Sequence, residues 1–502
     1  MFALIYEGAS KTVHAVNGSG SCPQGLTLDH LIDCLKEAQK DSSEEISIDE
    51  LFMASVHSIT VPGAARGWED LYQKHGSGKF TFAALLEPAA KLAEDGFPVA
   101  PVTAKYWDNA FHQLCRWVDE GEEKNIELSS NGKPPKAGEI FQNPGMARVL
   151  RELGINGSRK GFYEGYAGKR IVEAVQKHGG RMSTGDLSAQ KSTFPEPINV
   201  EYRGVRLWQV PPNGQGIAGL IALQGLSALE SNGQISKVFD EHSFRGSESL
   251  HSMIEMMRLG FSDAQKYVAD ERYMSVTNDW LLDDERIKNR ASKLYHPDKA
   301  VIHGTPLPSS GTVSFQVVDK DQNAISFVNS NYMGFGNGVI PSGCGFSLQN
   351  RGYGFSLDPK HPNGLAPGKR PYHTIIPGML THADESNDLY ATLSNMGGFM
   401  QPQGHMQLTV ALVGCGMDPQ KAVDHPRFCI ADGTQKGTVF IEDGFDDEVL
   451  QQLKYKGHNM RGNVSGFSRS VFGKAQIIKV DRESGVLWAG SDGRSDGCAM
   501  GY

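Results

Sequence analysis

The chain has 502 residues, 39% hydrophobic and 21% charged, which is the balance of an ordinary globular protein. By length alone it has room for about three domains, and a core of that size needs neither disulfide nor metal to hold it. The formal net charge of −9 supplies no basic field, so neither nucleic acid nor an anionic membrane surface is an expected partner. The 7 cysteines, at 22, 34, 115, 344, 415, 429 and 498, form no Cys-x-x-Cys pair. Neither a zinc site nor a disulfide scaffold follows, and reduced thiols in a cytosol-like compartment are the plain expectation. No apolar run approaches a bilayer span, and the N-terminus lacks the basic-then-apolar order of a signal peptide.

Met1 to Tyr6 has the pattern of a strand already in progress. Over residues 79–95, Phe82, Leu85, Leu86, Ala89, Leu92 and Ala93 share one face, which predicts helix with a stop at Gly96. Pro88 is expected to break that segment into two short helices. Residues 118–145, with the charge run from Asp119 to Lys124 and Pro134-Pro135, predict a surface excursion. A hairpin is expected over 198–210 with Arg203-Gly204 at its turn. A buried helix is expected over Ile217–Leu229, where apolar residues run nearly all round, and another helix over 249–269.

The texture then changes. Residues 299–311 form a Pro/Gly/Ser loop, and Val313, Phe315 and Val317 alternate with polar neighbours before a turn at Lys320 to Asn323. Ile325 and Phe327 resume the alternation, so a hairpin is predicted. Strands are expected at 389–394, 471–479 and 485–490, and a helix at about 404–414. Helices dominate before Thr312 and strands after it, and both halves are expected to feed one α+β core with no obvious interdomain linker.

Thr312 is the residue with the most to say about chemistry. Gly-Thr occurs at 304, 311, 433 and 437, so the dipeptide alone carries no information. At Gly311-Thr312 a polar loop precedes it, and a strand expected to be buried follows it. A glycine there leaves the preceding carbonyl open to attack by the Thr312 hydroxyl. Cleavage at this bond would free an α-amine of pKa about 7.7–8.0, basic enough to take the proton of its own residue's hydroxyl near neutrality. Before cleavage the same nitrogen is an amide and cannot act so. The plain alternative is a threonine entering a strand, which is common.

Ser394-Asn395-Met396-Gly397-Gly398-Phe399 lies where a strand gives way to a helix. Paired glycines let successive N–H groups converge, which suits an oxyanion hole; a simple turn is the alternative. No Lys-Ser/Thr follows, so a phosphate cradle is excluded. Gly493-Arg494-Ser495-Asp496-Gly497 matches Gly-x-Ser-x-Gly, yet too little chain follows for the acid and histidine partners. His296/Asp298 and His361/His373 lack metal-ligand spacing. No motif calls for a cofactor or a metal.

Several blocks together resemble the γ-glutamyltranspeptidase (glutathione hydrolase) family of N-terminal nucleophile hydrolases. They are Val61-Pro62-Gly63 with Gly67, Leu86 to Phe97, Thr312 to Asp319, Phe335-Gly336-Asn337-Gly338, Lys369-Arg370-Pro371, Gly397-Gly398, and Ser491-Asp492 to Gly501-Tyr502. The resemblance implies a four-layer αββα sandwich processed into a large subunit, 1–311, and a small catalytic subunit, 312–502, which stay together. It implies Gly311/Thr312 as the autocleavage site, Thr312 as nucleophile, Ser330 as a supporting hydroxyl, and Gly397 and Gly398 as the oxyanion hole.

Departures from the family pattern fall on substrate recognition. Tyr332 stands for an asparagine, Arg351 for Gln/Glu, Gly354 for Asp, and His373 and Thr374 for paired serines. The loop Ser356–Pro367 is short for the family's lid, and no arginine in Asn17 to Pro23 matches its carboxylate-binding arginine. Exchanging an acidic or amide position for Arg351 favours an acyl group ending in a carboxylate, such as glutaryl, as in an acylase-like branch. The expectation is therefore an autoprocessing threonine hydrolase or acyltransferase acting on γ-glutamyl amides such as glutathione. An acylase for dicarboxylic amides is the near alternative, and an unprocessed scaffold the distant one.

Overall fold

The computed structural model describes residues 1–41, 46–236, 240–301, 312–431 and 437–502. They form two compact units whose segments interleave along the chain. One holds Met1, Val16–Thr193 and Ser330–Pro371; the other holds Phe2–Ala15, Phe194–Asn329 and Tyr372–Tyr502.

The first unit is mainly helical. Its helix α1 (Leu28–Asp41) buries Leu31 and Leu35, spaced i, i+4, against Phe52 and Tyr353. Helix α2 (Phe82–Asp95), capped by the Thr81 hydroxyl, runs unbroken through Pro88. This corrects the expected break at Pro88. The helix packs along α3 (Pro144–Ser158) so closely that a Cβ at Gly154 would sit 2.8 Å from Ala83 Cα. Tertiary packing of that kind outweighs one missing hydrogen bond. The segment 118–145 is also less peripheral than its charge run implies. Ile126, Leu128 and Phe141 are buried with Val99 and Leu114, and Trp107 Nε1 donates to Leu128 O at 3.1 Å.

In the second unit, β1 (Phe2–Glu7) and β2 (Thr12–Asn17) open the chain. The predicted hairpin is β3 (Ile198–Tyr202) and β4 (Val205–Gln209). The fully buried helix is α4 (Gly216–Ser231), packed along α5 (Ser247–Tyr267). There follow β5 (Val313–Val318), β6 (Ala324–Asn329), β7 (Gly378–His382), β8 (Leu389–Met396), α6 (Met400–Thr409), β9 (Lys474–Val480) and β10 (Leu487–Ser491). One sheet has the order β2-β1-β6-β5 and the other β10-β9-β8-β7-β4-β3. The pairs β1/β6, β5/β6 and β8/β9 are antiparallel. Strands β5 and β6 pack on β8, while α4 and α6 lie against strands of the larger sheet.

Strand β5 differs from its expectation. Val313, Phe315 and Val317 are 68%, 46% and 50% exposed, so the alternation is real but its apolar face points outward. The polar face is the inner one: Ser394 Oγ donates to Ser314 Oγ at 2.8 Å, and Gln316 Nε2 donates to Ser326 Oγ at 3.4 Å. As the edge strand of its sheet, β5 lays Ser314 on β8 and ties Gln316 to β6. Period alone fixes that two faces exist, not which one is buried.

Candidate active site

Strand β8 ends at Met396, and two residues with positive φ turn the chain into α6: Gly397 at 131° and Gly398 at 62°. An L side chain is strained there, and a Cβ at Gly397 would lie 3.0 Å from Gly473 Cα. Both carbonyls are engaged. Met400 N–H donates to Gly397 O at 3.1 Å and Gln401 N–H to Gly398 O at 3.1 Å, while Gln215 Nε2 adds 2.8 Å to Gly398 O. Among the described residues neither glycine N–H donates in a loop hydrogen bond. The positive end of α6 begins two residues later. Such a turn can receive a developing negative charge.

Thr312 is buried, 7% exposed. Gln401, in the first turn of α6, donates from Nε2 to Thr312 Oγ1 at 3.3 Å. The other end of that amide is fixed, because Ile376 N–H donates to Gln401 Oε1 at 2.8 Å. One glutamine thus ties the threonine hydroxyl to the helix that follows the glycine turn. Gln215 ties down the neighbouring backbone. Its Nε2 also donates to Thr374 O at 2.6 Å, and its own N–H donates to His373 O at 2.9 Å. His373 N–H donates to Asn213 O at 2.9 Å, and its ring meets Phe2 edge-on at 4.8 Å. His373 and Thr374 are therefore buried, with backbone fastened to the glycine turn. Gly311, the other half of the expected cleavage site, lies outside the described residues.

In the first unit, Ser330, Tyr332 and Arg351 form one group. Ser330 Oγ accepts from Tyr332 N–H at 2.9 Å and from Arg351 Nη2 at 3.1 Å. Arg351 lies 4.2 Å from the centre of the Tyr332 ring, a cation–π contact. Burial pulls Arg351 down to about 9, and Tyr332 works in the opposite direction. Tyr332 holds a φ of 78°, unusual for an aromatic residue. Two positions that looked like separate departures in sequence are in contact in space.

Sequence reasoning missed Gln401 and Gln215. The available signals were position in the first turn after Gly397-Gly398, and Pro211-Pro212-Asn213-Gly214-Gln215 leading into a buried helix. A cleft of ≈ 730 Å³ lined by Ser247, Asp298, Glu448 and Lys456 holds none of the residues of this site.

A mixed α+β molecule, with a buried threonine heading an edge strand and bonded beside a glycine turn, is of the N-terminal nucleophile hydrolase class. The chain belongs to the gamma-glutamyltranspeptidase family, whose model matches residues 1–502. It is 32% identical over 513 aligned positions to the "Glutathione hydrolase-like YwrD proenzyme" of Bacillus subtilis (strain 168), covering 100% of this chain and 89% of that protein. It is 28% identical to the "Oxamate amidohydrolase proenzyme" of Klebsiella pneumoniae subsp. pneumoniae, covering 89% of this chain and 81% of the other. Among solved structures, the cephalosporin acylase from Bacillus halodurans matches with a TM-score of 0.84 and 36% identity, over 100% of this chain and 87% of that one.

Proposed function

We propose that this hydrolase is made as a precursor that cuts itself between Gly311 and Thr312, and that Thr312 is then its nucleophile. The Gln401–Thr312 hydrogen bond, beside the Gly397-Gly398 turn, is the observation that carries the reading. In the first step Thr312 Oγ1 attacks the Gly311 carbonyl carbon and the peptide nitrogen leaves, so an ester replaces the amide. The hydroxyl proton passes to that nitrogen, which becomes the free amine of Thr312; water then hydrolyses the ester, giving a carboxylate on Gly311 and restoring the Thr312 hydroxyl. In turnover the amine takes the hydroxyl proton while Oγ1 attacks the substrate amide carbon, and the glycine N–H groups stabilise the oxyanion. The proton passes to the departing amine. Water, or an acceptor amine, then releases the acyl group. Ser330 is proposed as a supporting hydroxyl. A four-layer αββα arrangement goes with this reading, supported by the two packed sheets with helices on the larger one.

For substrate we propose an amide whose acyl part carries a carboxylate, with γ-glutamyl compounds such as glutathione as the first candidates. The second reading, a glutaryl-type acylase, is favoured by buried, cationic Arg351 in contact with Tyr332. A relative named for oxamate and one named for cephalosporin support breadth in the acyl group.

Incubation of the purified chain followed by a denaturing gel tests the first step. Two fragments meeting at Gly311/Thr312 are expected, with Thr312→Ala remaining whole. A wild-type chain that stays intact through long incubation overturns the proposal and leaves the unprocessed scaffold. Rates on γ-glutamyl and glutaryl anilides then decide between the two acyl groups.

A further inference from the structure

Helix α1 carries His30 and Cys34 one turn apart, on the flank of the stripe that buries Leu31 and Leu35. The single helical turn Val56–Ser58 brings His57 to the same place. One ligand atom from each of His30, Cys34 and His57 lies within 4.8 Å of the others. Cys34 Sγ is 3.5 Å from His30 Nε2, and the His30 and His57 rings meet edge-on at 5.3 Å. His57 is 7% exposed, and its Nδ1 is buried with no hydrogen-bond partner. A buried ring nitrogen without a partner is a cost that a native fold normally avoids.

We propose that His30, Cys34 and His57 form a three-ligand site for a divalent ion of the zinc class, with a fourth position open to solvent. Two imidazoles and a thiolate are the ligand set such ions take. With bond lengths of about 2.0 Å to nitrogen and 2.3 Å to sulfur, a tetrahedral ion sets neighbouring N and S about 3.5 Å apart, which is the separation His30 and Cys34 already have. A rotation of His57 closes the third edge and gives its ring a partner. The Cys34 thiol proton passes to solvent as the metal–sulfur bond forms. His30 and Cys34 are half-buried, so an ion has a way in.

One group competes. Arg181 Nε donates to His30 Nε2 at 3.0 Å, and Arg181 is exposed, so it can swing into solvent when the ion arrives. Burial, with the carboxylates of Glu37 and Asp33 on the same helix, pushes the Cys34 thiol up; the same negative charge favours a cation beside it. The sequence concealed the site because His57 is remote from the His30/Cys34 pair.

The test is a cobalt(II) titration of the full chain under reducing conditions, read by absorption and independent of any hydrolase activity. One equivalent is expected to give a thiolate-to-cobalt charge-transfer band. Cys34→Ser should abolish the band, and His57→Gln should weaken binding by at least about tenfold, the loss of one ligand in three. Arg181→Gln, a surface change that spares folding, should tighten binding by up to about tenfold, since it removes a charge-assisted competitor. No band in the wild type, a band that survives Cys34→Ser, or an Arg181→Gln chain that binds no tighter would overturn the site.

Discussion

Gln401 decides more than any other single side chain, because both ends of its amide are committed inside a fully buried site. Gln401→Ala removes the donor to Thr312 and strands the Ile376 N–H. A neutral hydrogen bond is worth about 0.5–1.5 kcal/mol, so self-cleavage is expected to slow by about 2- to 12-fold. The unsatisfied N–H should lower stability by about 1–3 kcal/mol. Gel densitometry against time reads the first effect, and denaturant titration the second. Arg351→Gln should lower kcat/KM for carboxylate-bearing acyl groups by about 10- to 100-fold, the value of a charge-assisted hydrogen bond. Equal losses on a neutral acyl anilide would argue against a recognition role.

The end of β8 is held by buried charge rather than by the glycines themselves. Arg427 Nη1 donates to Asn395 Oδ1 at 3.0 Å, next but one to Gly397, and its Nη2 pairs with Asp492 at 2.7 Å. Arg494 meets the other Asp492 oxygen at 2.9 Å and Glu442 at 2.6 Å. Burial pushes Asp492 upward, yet Arg427 and Arg494 overcome it and hold the carboxyl below its usual 3.8. Asp492→Asn leaves two guanidinium groups without their shared carboxylate and should cost about 3–5 kcal/mol. The native pKa lies below the unfolded one, so this contribution is present above about pH 4 and is lost as pH falls through the native value. Asp492 should therefore add to the loss of wild-type stability below about pH 4, and the loss there should be shallower in Asp492→Asn. Thermal unfolding across that range measures both.

The cut at Gly311/Thr312 would divide the chain but not the sheets of the second unit. Strand β1, from the first fragment, pairs with β6 from the second along Phe2↔Val328 to Tyr6↔Ala324. Strand β4 pairs with β7 in the same way, from Val205↔His382 to Trp208↔Met379. The two fragments should co-elute in gel filtration and part only in denaturant. The same unit keeps three histidines neutral: burial lowers His405 to about 3, His425 to about 4 and His458 to about 2. Each takes up a proton near its ordinary 6.5 only on unfolding, so stability falls as pH drops below about 6.5. Each contributes up to about 1.4 kcal/mol per pH unit. His405→Gln should lower that slope by about one proton.

Much of the architecture was written in local pattern. The hairpin at Arg203-Gly204, the all-apolar helix α4 and the glycine turn each need a residue type that few alternatives supply, and Thr312 stood out by the Pro/Gly/Ser-rich sequence before it and the strand pattern after it. What depended on distant neighbours was not legible. The outward face of β5 is set by β8, the continuity of α2 by α3, and the pairing of Arg351 with Tyr332 by a turn of chain. The role of Gln401 needed Ile376 and Thr312 brought to one amide. Sequence carries periodicity and backbone permission, which act over a few residues; burial and hydrogen-bond partnership are decided by whatever the fold brings alongside.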